Sequence, residues 1–238
     1  MSLGDRIRNS QLWRSIFRHP PPRDHRNRVL VVLTNLILHL HPVAIPKHAV
    51  RLSFTWCMGG ITFFLFLVET ATGVLLMFYY RPTLQWAYHD MLALRDVVSF
   101  GPVLRNVHRW GAHAMVIAVW LHMLRVFLTG SYKPPREFNW VVGVALLVLT
   151  LLLSFTGYLL PWDQLSIWAV TVGSNMARAA PIIGSDSRFV LLGARSVGEE
   201  ALNRFYVLHC VAIPLAAGFL MALHFWRIRK DGGISGPL

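Results

Sequence analysis

The chain is 238 residues long, 55% hydrophobic and only 14% charged, with a mean hydropathy of +0.48. Soluble domains carry about 25% charged residues, so an ordinary soluble fold is excluded and a single membrane domain suits the length. The net charge of +12 raises a nucleic-acid reading, but the distribution of that charge follows membrane topology instead.

Residues 1–51 are basic and broken by prolines (His19-Pro20-Pro21-Pro22). The opening MSLGDRIRNSQLW has no apolar stretch, so no secretory signal is expected. Val29 to Leu40 is mostly apolar but interrupted by Thr34, Asn35 and His39. A spanning helix needs about 20 residues, so this run predicts an amphipathic helix lying at the membrane interface. Four longer segments follow: Phe54 to Tyr80, whose one charge is Glu69; Trp110 to Leu124, extendable to Leu128; Phe138 to Trp162; and Phe205 to Trp226. Each suffices, with its flanks, to cross as a helix, and they are called A to D in order. The A–B and C–D connections (81–107 and 163–204) are long and mixed, and the B–C connection, SYKPPREFN, is short. The expected fold is all-α: an integral membrane four-helix bundle over residues 52–238, preceded by a basic segment, 1–51, with the interfacial helix.

Four crossings put both termini and the B–C loop on one side, which carries fifteen Lys and Arg against four acids; the other carries eight Arg against six. The basic side is therefore cytoplasmic, here the n side, and the other is the p side. Anionic lipid accounts for the excess, so no nucleic-acid partner is expected. Tryptophans at segment ends (Trp56, Trp110, Trp140, Trp162, Trp226) suit an aromatic belt. Two cysteines form no CxxC pair and indicate no compartment.

Helix B carries His108 and His122, fourteen residues apart, and helix D carries His209 and His224, fifteen apart. Four α-helical turns take about 14.4 residues and rise about 21–22 Å, so each pair lies on one face with one His near each membrane surface. B and D run in the same direction. His108 then faces His209 near the p side, and His122 faces His224 near the n side. Two neutral imidazoles facing each other suit low-spin haem iron, so two stacked b haems are expected. A lone intramembrane His more often makes an interhelical hydrogen bond, but two pairs matched in spacing and direction outweigh that account. His113 fits neither pair and reads as a hydrogen-bonded residue. Gly59 and Gly73 on A, and Gly143 and Gly157 on C, are also fourteen apart. Lacking Cβ, they let a flat macrocycle approach the backbone, although small residues also serve plain helix packing. Arg105, Arg109, Lys133, Arg136 and Arg229 lie near helix ends, where they can pair with haem propionates or reach toward lipid headgroups.

Four stretches carry a resemblance: CMGGITFFLFLVETATGVLLMFYYRPT, RNVHRWGAHAMVIAVWLHMLRVFLTGSYKPPRE, FTGYLLPWDQLSIWAV and RFYVLHCVAIPLAAGFLMALHFWRIRKDGGISGPL. With them the chain resembles the cytochrome b family of the respiratory and photosynthetic bc and bf complexes, most closely the b6 type. Fourteen residues between His209 and His224, the ending at ISGPL, and Cys57 at the position where the b6 type binds an extra haem point to that type. The resemblance implies that His108 and His209 ligate the p-side haem b, that His122 and His224 ligate the n-side haem b, and that Cys57 holds a haem c through one thioether. A buried free cysteine is the plain alternative for Cys57, and Cys210 reads as packing.

The resemblance further implies p-side quinol oxidation, with one electron passing to a Rieske iron–sulfur protein and a c-type cytochrome, and the other crossing this chain to an n-side quinone. The PEWY motif of the quinol site is absent, which implies a separate three-helix subunit carrying it, in a complex expected to be dimeric. The long basic N-terminus and the extra residue in Asp231-Gly232-Gly233 suggest a bacterial relative outside the cyanobacteria, in a plasma membrane rather than a thylakoid. The rival functions are a dihaem membrane anchor of a hydrogenase or formate dehydrogenase, which lacks GYLLPWDQ, and a haem-free structural or assembly subunit.

Overall fold

The computed structural model describes residues 3–16, 24 and 47–234, so the interfacial helix expected over Val29–Leu40 lies outside the described residues. The protein is all-α, with no strand among the described residues. Two short helices, α1 (Leu3–Asn9) and α2 (Gln11–Ile16), precede a 3-10 turn (Lys47–Val50) and α3 (Leu52–Thr55). Then come α4 (Met58–Met77), α5 (Ala87–Asp96), α6 (Gly101–Leu128), α7 (Glu137–Leu159), α8 (Gln164–Arg178) and α9 (Gly184–Leu192). Last, α10 (Glu199–Val207) passes through a π-helical turn (Leu208–Ala212) into α11 (Ile213–Lys230).

Four of these helices are long and apolar enough to cross a membrane: α4, α6, α7 and the continuous Glu199–Lys230. They correspond to segments A to D with shifted ends. Segment A begins later than its apolar run, because Trp56 and Cys57 take left-handed φ values of 49° and 50° and separate α3 from α4. Helix α6 begins nine residues before Trp110, since backbone hydrogen bonding continues through the polar stretch ahead of the apolar run. At most 11% of the residues in each apolar window are buried.

The chain forms two compact units. Gly60–Ala118 and Val148–Ala217 make up one, and it holds the closed hydrophobic core. Leu159, Val170, Leu192, Ala201 and Phe205 form one buried cluster, and Tyr80, Ala87 and Leu202 another. The connections read as mixed in sequence thus supply α5, α8, α9 and α10, which bury apolar faces under one another. Asp163 caps α8 by accepting from the Ser166 backbone N–H and hydroxyl, both at 2.8 Å. Tyr80 donates to Leu160 O at 2.6 Å and stacks on Tyr206. Arg81 grips both carboxylate oxygens of Asp90 and lies over the Trp86 ring. The hydrogen-bonded Arg81 guanidinium holds the Asp90 carboxyl below the usual carboxylate range.

The second unit comprises Met1–Gly59, Val119–Leu147 and Gly218–Leu238. Here Ser15 of α2 bonds to the start of α7 and the end of α11. Its hydroxyl donates to Pro135 O and accepts from the Phe138 N–H, while its carbonyl accepts from Arg227. Gln11 adds a bond to Glu137 at 2.8 Å. The Arg227 side chain is fully buried, 3.0 Å from Asp231, which is buried too. Breaking such a pair leaves one buried charge uncompensated and costs about 3–5 kcal/mol. Arg227→Met is accordingly expected to destabilise the detergent-solubilised protein by about that amount, read from equilibrium unfolding. Adding Asp231→Leu should recover most of the loss, because neither charge then remains.

Candidate haem-binding sites

In the unit holding Gly60–Ala118 and Val148–Ala217, α6 presents His108 and the π turn presents His209. Their ring centroids are 6.1 Å apart and their planes 84° from parallel. In the other unit, His122 on α6 and His224 on α11 have centroids 6.4 Å apart and planes at 78°. The histidines thus meet in the pairs that the spacing predicts.

The π turn explains the unequal spacings. At about 3.6 residues per turn, fourteen residues fall slightly short of four turns and fifteen overshoot. The extra residue is absorbed where the Ile213 N–H donates to Leu208 O, five residues back. Pro214 follows and has no N–H to continue the α pattern. His209 sits inside this turn.

Each of the four glycines lies against a different histidine. An ideal Cβ on Gly73 would come 3.2 Å from His108 Cε1, on Gly157 2.5 Å from His209 Cε1, on Gly59 3.5 Å from His122 Cε1, and on Gly143 3.7 Å from His224 Cε1. At Gly157, and less sharply at Gly73, the absent Cβ therefore makes room for the imidazole itself, whereas at Gly59 and Gly143 a Cβ would make ordinary contact.

Nδ1 of two histidines is engaged. His108 Nδ1 lies 2.9 Å from Thr72 Oγ1 and 3.2 Å from Glu69 Oε2, and His209 Nδ1 lies 3.1 Å from Leu153 O and 3.2 Å from Thr156 Oγ1. Nδ1 of His224 is buried with no hydrogen-bond partner among the described residues. Sequence reasoning left Glu69, Thr72 and Thr156 without a role. The signal for Glu69 was present, since an intramembrane acid is by default functional.

The cationic candidates are dispersed. Arg105 and Arg109 flank His108 on α6, and Lys133 is exposed in the α6–α7 loop. Arg136 is committed in part to structure, donating from Nη2 to Asp231 O and Gly233 O, but its Nε is buried without a partner among the described residues. The same holds for Arg229 Nη1. Cys57 is exposed, and Cys210 is half-buried in the π turn. His113 neighbours Trp110, outside both pairs.

The geometry fits bis-imidazole haem. With a metal–imidazole bond of about 2 Å on each side and a ring radius of about 1 Å, two axial imidazoles place their centroids about 6 Å apart. Both pairs meet that separation. An Nδ1–H held by a neighbour is the ordinary support for a histidine that gives Nε2 to a metal, and the buried donors on Arg136 and Arg229 are open to an anionic partner. Among the described residues no three His, Cys, Asp or Glu side chains converge, so each pair stands as two ligands.

Residues 43–232 match the family described as cytochrome b/b6/petB. The chain belongs to that family. Cytochromes of this kind are haem-binding electron-transport proteins of membranes, and the four apolar helices make this one an integral membrane protein. It is similar to cytochrome b6 of Heliomicrobium gestii, 44% identical over 198 residues that cover 83% of this chain and 91% of that one. Similarity to cytochrome b6 of Prochlorococcus marinus (strain MIT 9515) is 46% over 194 residues, covering 82% and 87%. Among solved structures it resembles a chain titled "Hyperthermophilic respiratory Complex III", with a TM-score of 0.68 and 28% identity over 75% of this chain and 48% of that one. It thus spans about half the length of that structural relative.

The glycine distances set an order of sensitivity in this cytochrome b. Gly157→Ala places a methyl group within 2.5 Å of His209 Cε1 and is expected to drive haem content from two per chain toward one. Gly143→Ala, with ordinary contact at 3.7 Å, should leave it near two. Pyridine haemochrome assays of the two purified variants check the order.

Proposed function

We propose that this chain is the b6-type cytochrome b subunit of a quinol-oxidising complex of the bc/bf class, carrying electrons from quinol oxidised on the p side to quinone on the n side. The observation that carries the reading is the double His–His arrangement, with 6.1 and 6.4 Å between centroids, in a cytochrome b family member. When bound, the two b haems supply one-electron carriers. His108 and His209 would give the p-side iron its axial nitrogens, and His122 and His224 the n-side iron. Thr72 lies at Nδ1 of His108 and Leu153 O and Thr156 at Nδ1 of His209, where they would orient those two imidazoles, and the four glycines lie against the ring edges. Arg105, Arg109, Lys133, Arg136 and Arg229 would offset the propionate charges. The apolar helices keep water out, so the protein's contribution is ligation, orientation and low dielectric.

Residues 52–238 act as one dihaem domain in this reading, with both termini on the cytoplasmic side of a bacterial plasma membrane. The partners are a three-helix subunit bearing the PEWY motif, a Rieske iron–sulfur protein and a c-type cytochrome, in a dimeric complex. Replacing His108 or His209 by Ala should remove one b haem, and replacing His122 or His224 the other, each leaving its companion. Any variant that retains both haems with unchanged spectra contradicts the ligand assignment.

Cys57 is proposed to hold a c-type haem by a single thioether on the n side, near the level of His122 and His224. Cys57 is exposed. After denaturing electrophoresis, the wild-type band should stain for haem peroxidase and Cys57→Ser should not, with both b haems intact. An unstained wild-type band with the mass of the bare polypeptide overturns this assignment and leaves a two-haem protein.

A further inference from the structure

The helices α1 and α2 precede the family match, which begins at residue 43, and none of the haem-site candidates lies in them. They meet in a hydrogen-bonded turn. The Ser10 hydroxyl donates to Ile7 O at 2.7 Å and accepts from the Trp13 N–H at 3.2 Å, so it closes the first helix and caps the second. Arg14 donates to Asn9 Oδ1 across the same turn.

Their attachment fixes their height. Ser15, 4% exposed, bonds to Pro135 O and the Phe138 N–H at the start of α7, and its carbonyl accepts from Arg227 near the end of α11. Gln11 donates to Glu137 at 2.8 Å. Both partners belong to helices long and apolar enough to span, Glu137–Leu159 and Glu199–Lys230. Helix α2 is therefore held level with the point where two spans end, which in a bilayer is the headgroup region.

The side chains that this attachment does not use are of two kinds. Leu3, Ile7 and Leu12 are 77%, 49% and 54% exposed, and Trp13 is exposed as well. Leu3 and Ile7 lie one turn apart on the same face of α1. Arg6 and Arg14 are also exposed, and residues 3–14 carry three arginines against one acid. Large apolar side chains interleaved with arginine suit surroundings in which hydrocarbon and anions lie side by side. A second copy of the chain fits less well, because four side chains fall short of the ~800 Å² per partner that a stable dimer buries.

We propose that α1 and α2 are a docking surface for anionic lipid. Leu3, Ile7, Leu12 and Trp13 enter the headgroup boundary, Arg6 and Arg14 meet lipid phosphates, and Ser15 ties the ends of α7 and α11 to that surface. Each arginine near an anionic leaflet favours the docked state by about fivefold. The inference needs the membrane setting and not the haem ligation.

The test is hydrogen–deuterium exchange of the full-length protein in nanodiscs of phosphatidylcholine and in nanodiscs of phosphatidylglycerol. Backbone amides of residues 3–14 should exchange at least about fivefold more slowly in phosphatidylglycerol. In Arg6→Gln with Arg14→Gln they should exchange in both lipids at the phosphatidylcholine rate, with residues 137–147 unchanged. Arg6→Lys with Arg14→Lys keeps the charge and should keep the slowing, which separates lipid charge from the Arg14–Asn9 bond. Leu12→Gln should speed exchange of the segment in both lipids. Equal exchange of the wild type in the two lipids overturns the proposal, whatever the variants do. Slowing confined to nanodiscs that hold two copies assigns the surface to a second copy and overturns it too.

Discussion

Two imidazoles carried by different helices must stop about 6 Å apart, close enough to share one metal and too far apart to touch. This has to happen twice on the same pair of helices. Much of the local structure follows from that requirement. Glycine stands opposite all four histidines, and at Gly157, and less sharply at Gly73, a Cβ would crowd the imidazole edge. The rings must not turn, so Nδ1 of His108 and of His209 is held from the side by hydroxyl, carbonyl or carboxyl oxygen. Each helix must also return to the same face after four turns, which α6 does with fourteen residues and the last helix with fifteen and a π turn.

The remainder of the molecule divides according to solvent. Where lipid is the surroundings, the helices bury little against protein, because hydrocarbon is as good a neighbour as leucine. Beside them, α5, α8, α9 and α10 build an ordinary hydrophobic core. The ion pairs sit at helix ends. The buried Arg227–Asp231 pair closes the end of α11, and Arg81–Asp90, whose arginine is exposed, follows the end of α4. Glu69 is the exception, a carboxyl group within a spanning segment beside a histidine.

The parts of this architecture that repeat along a helix were legible in the sequence. A period of four turns in His and Gly survives any uncertainty about helix ends, and the paired rings follow from it together with helix direction. Charge asymmetry between loops likewise needs no knowledge of packing. What could not be read was whatever depends on one contact between distant residues. Ser15 and Arg227 lie 212 positions apart and share no pattern. The α5, α8 and α9 helices are short, and their apolar residues meet those of other short helices, so nothing in their composition distinguishes them from loops. Helix ends moved because Arg105, His108 and Arg109 belong to α6 although hydropathy alone would leave them outside. Trp56 and Cys57 broke a run that composition presents as continuous.

The π turn at Leu208–Ala212 also bears on how such a protein can change length. A residue inserted into a spanning helix turns everything beyond it by about 100° and would swing a distal ligand out of its site. A π turn keeps the insertion local, since the widened loop of backbone takes in the additional residue and hands the helix on in nearly its former phase. The last helix therefore contains a place where one residue can be added or removed at the cost of a single hydrogen-bonding irregularity. Chains of this architecture can accordingly differ by one residue between the two histidines of that helix and still bring each to its own partner.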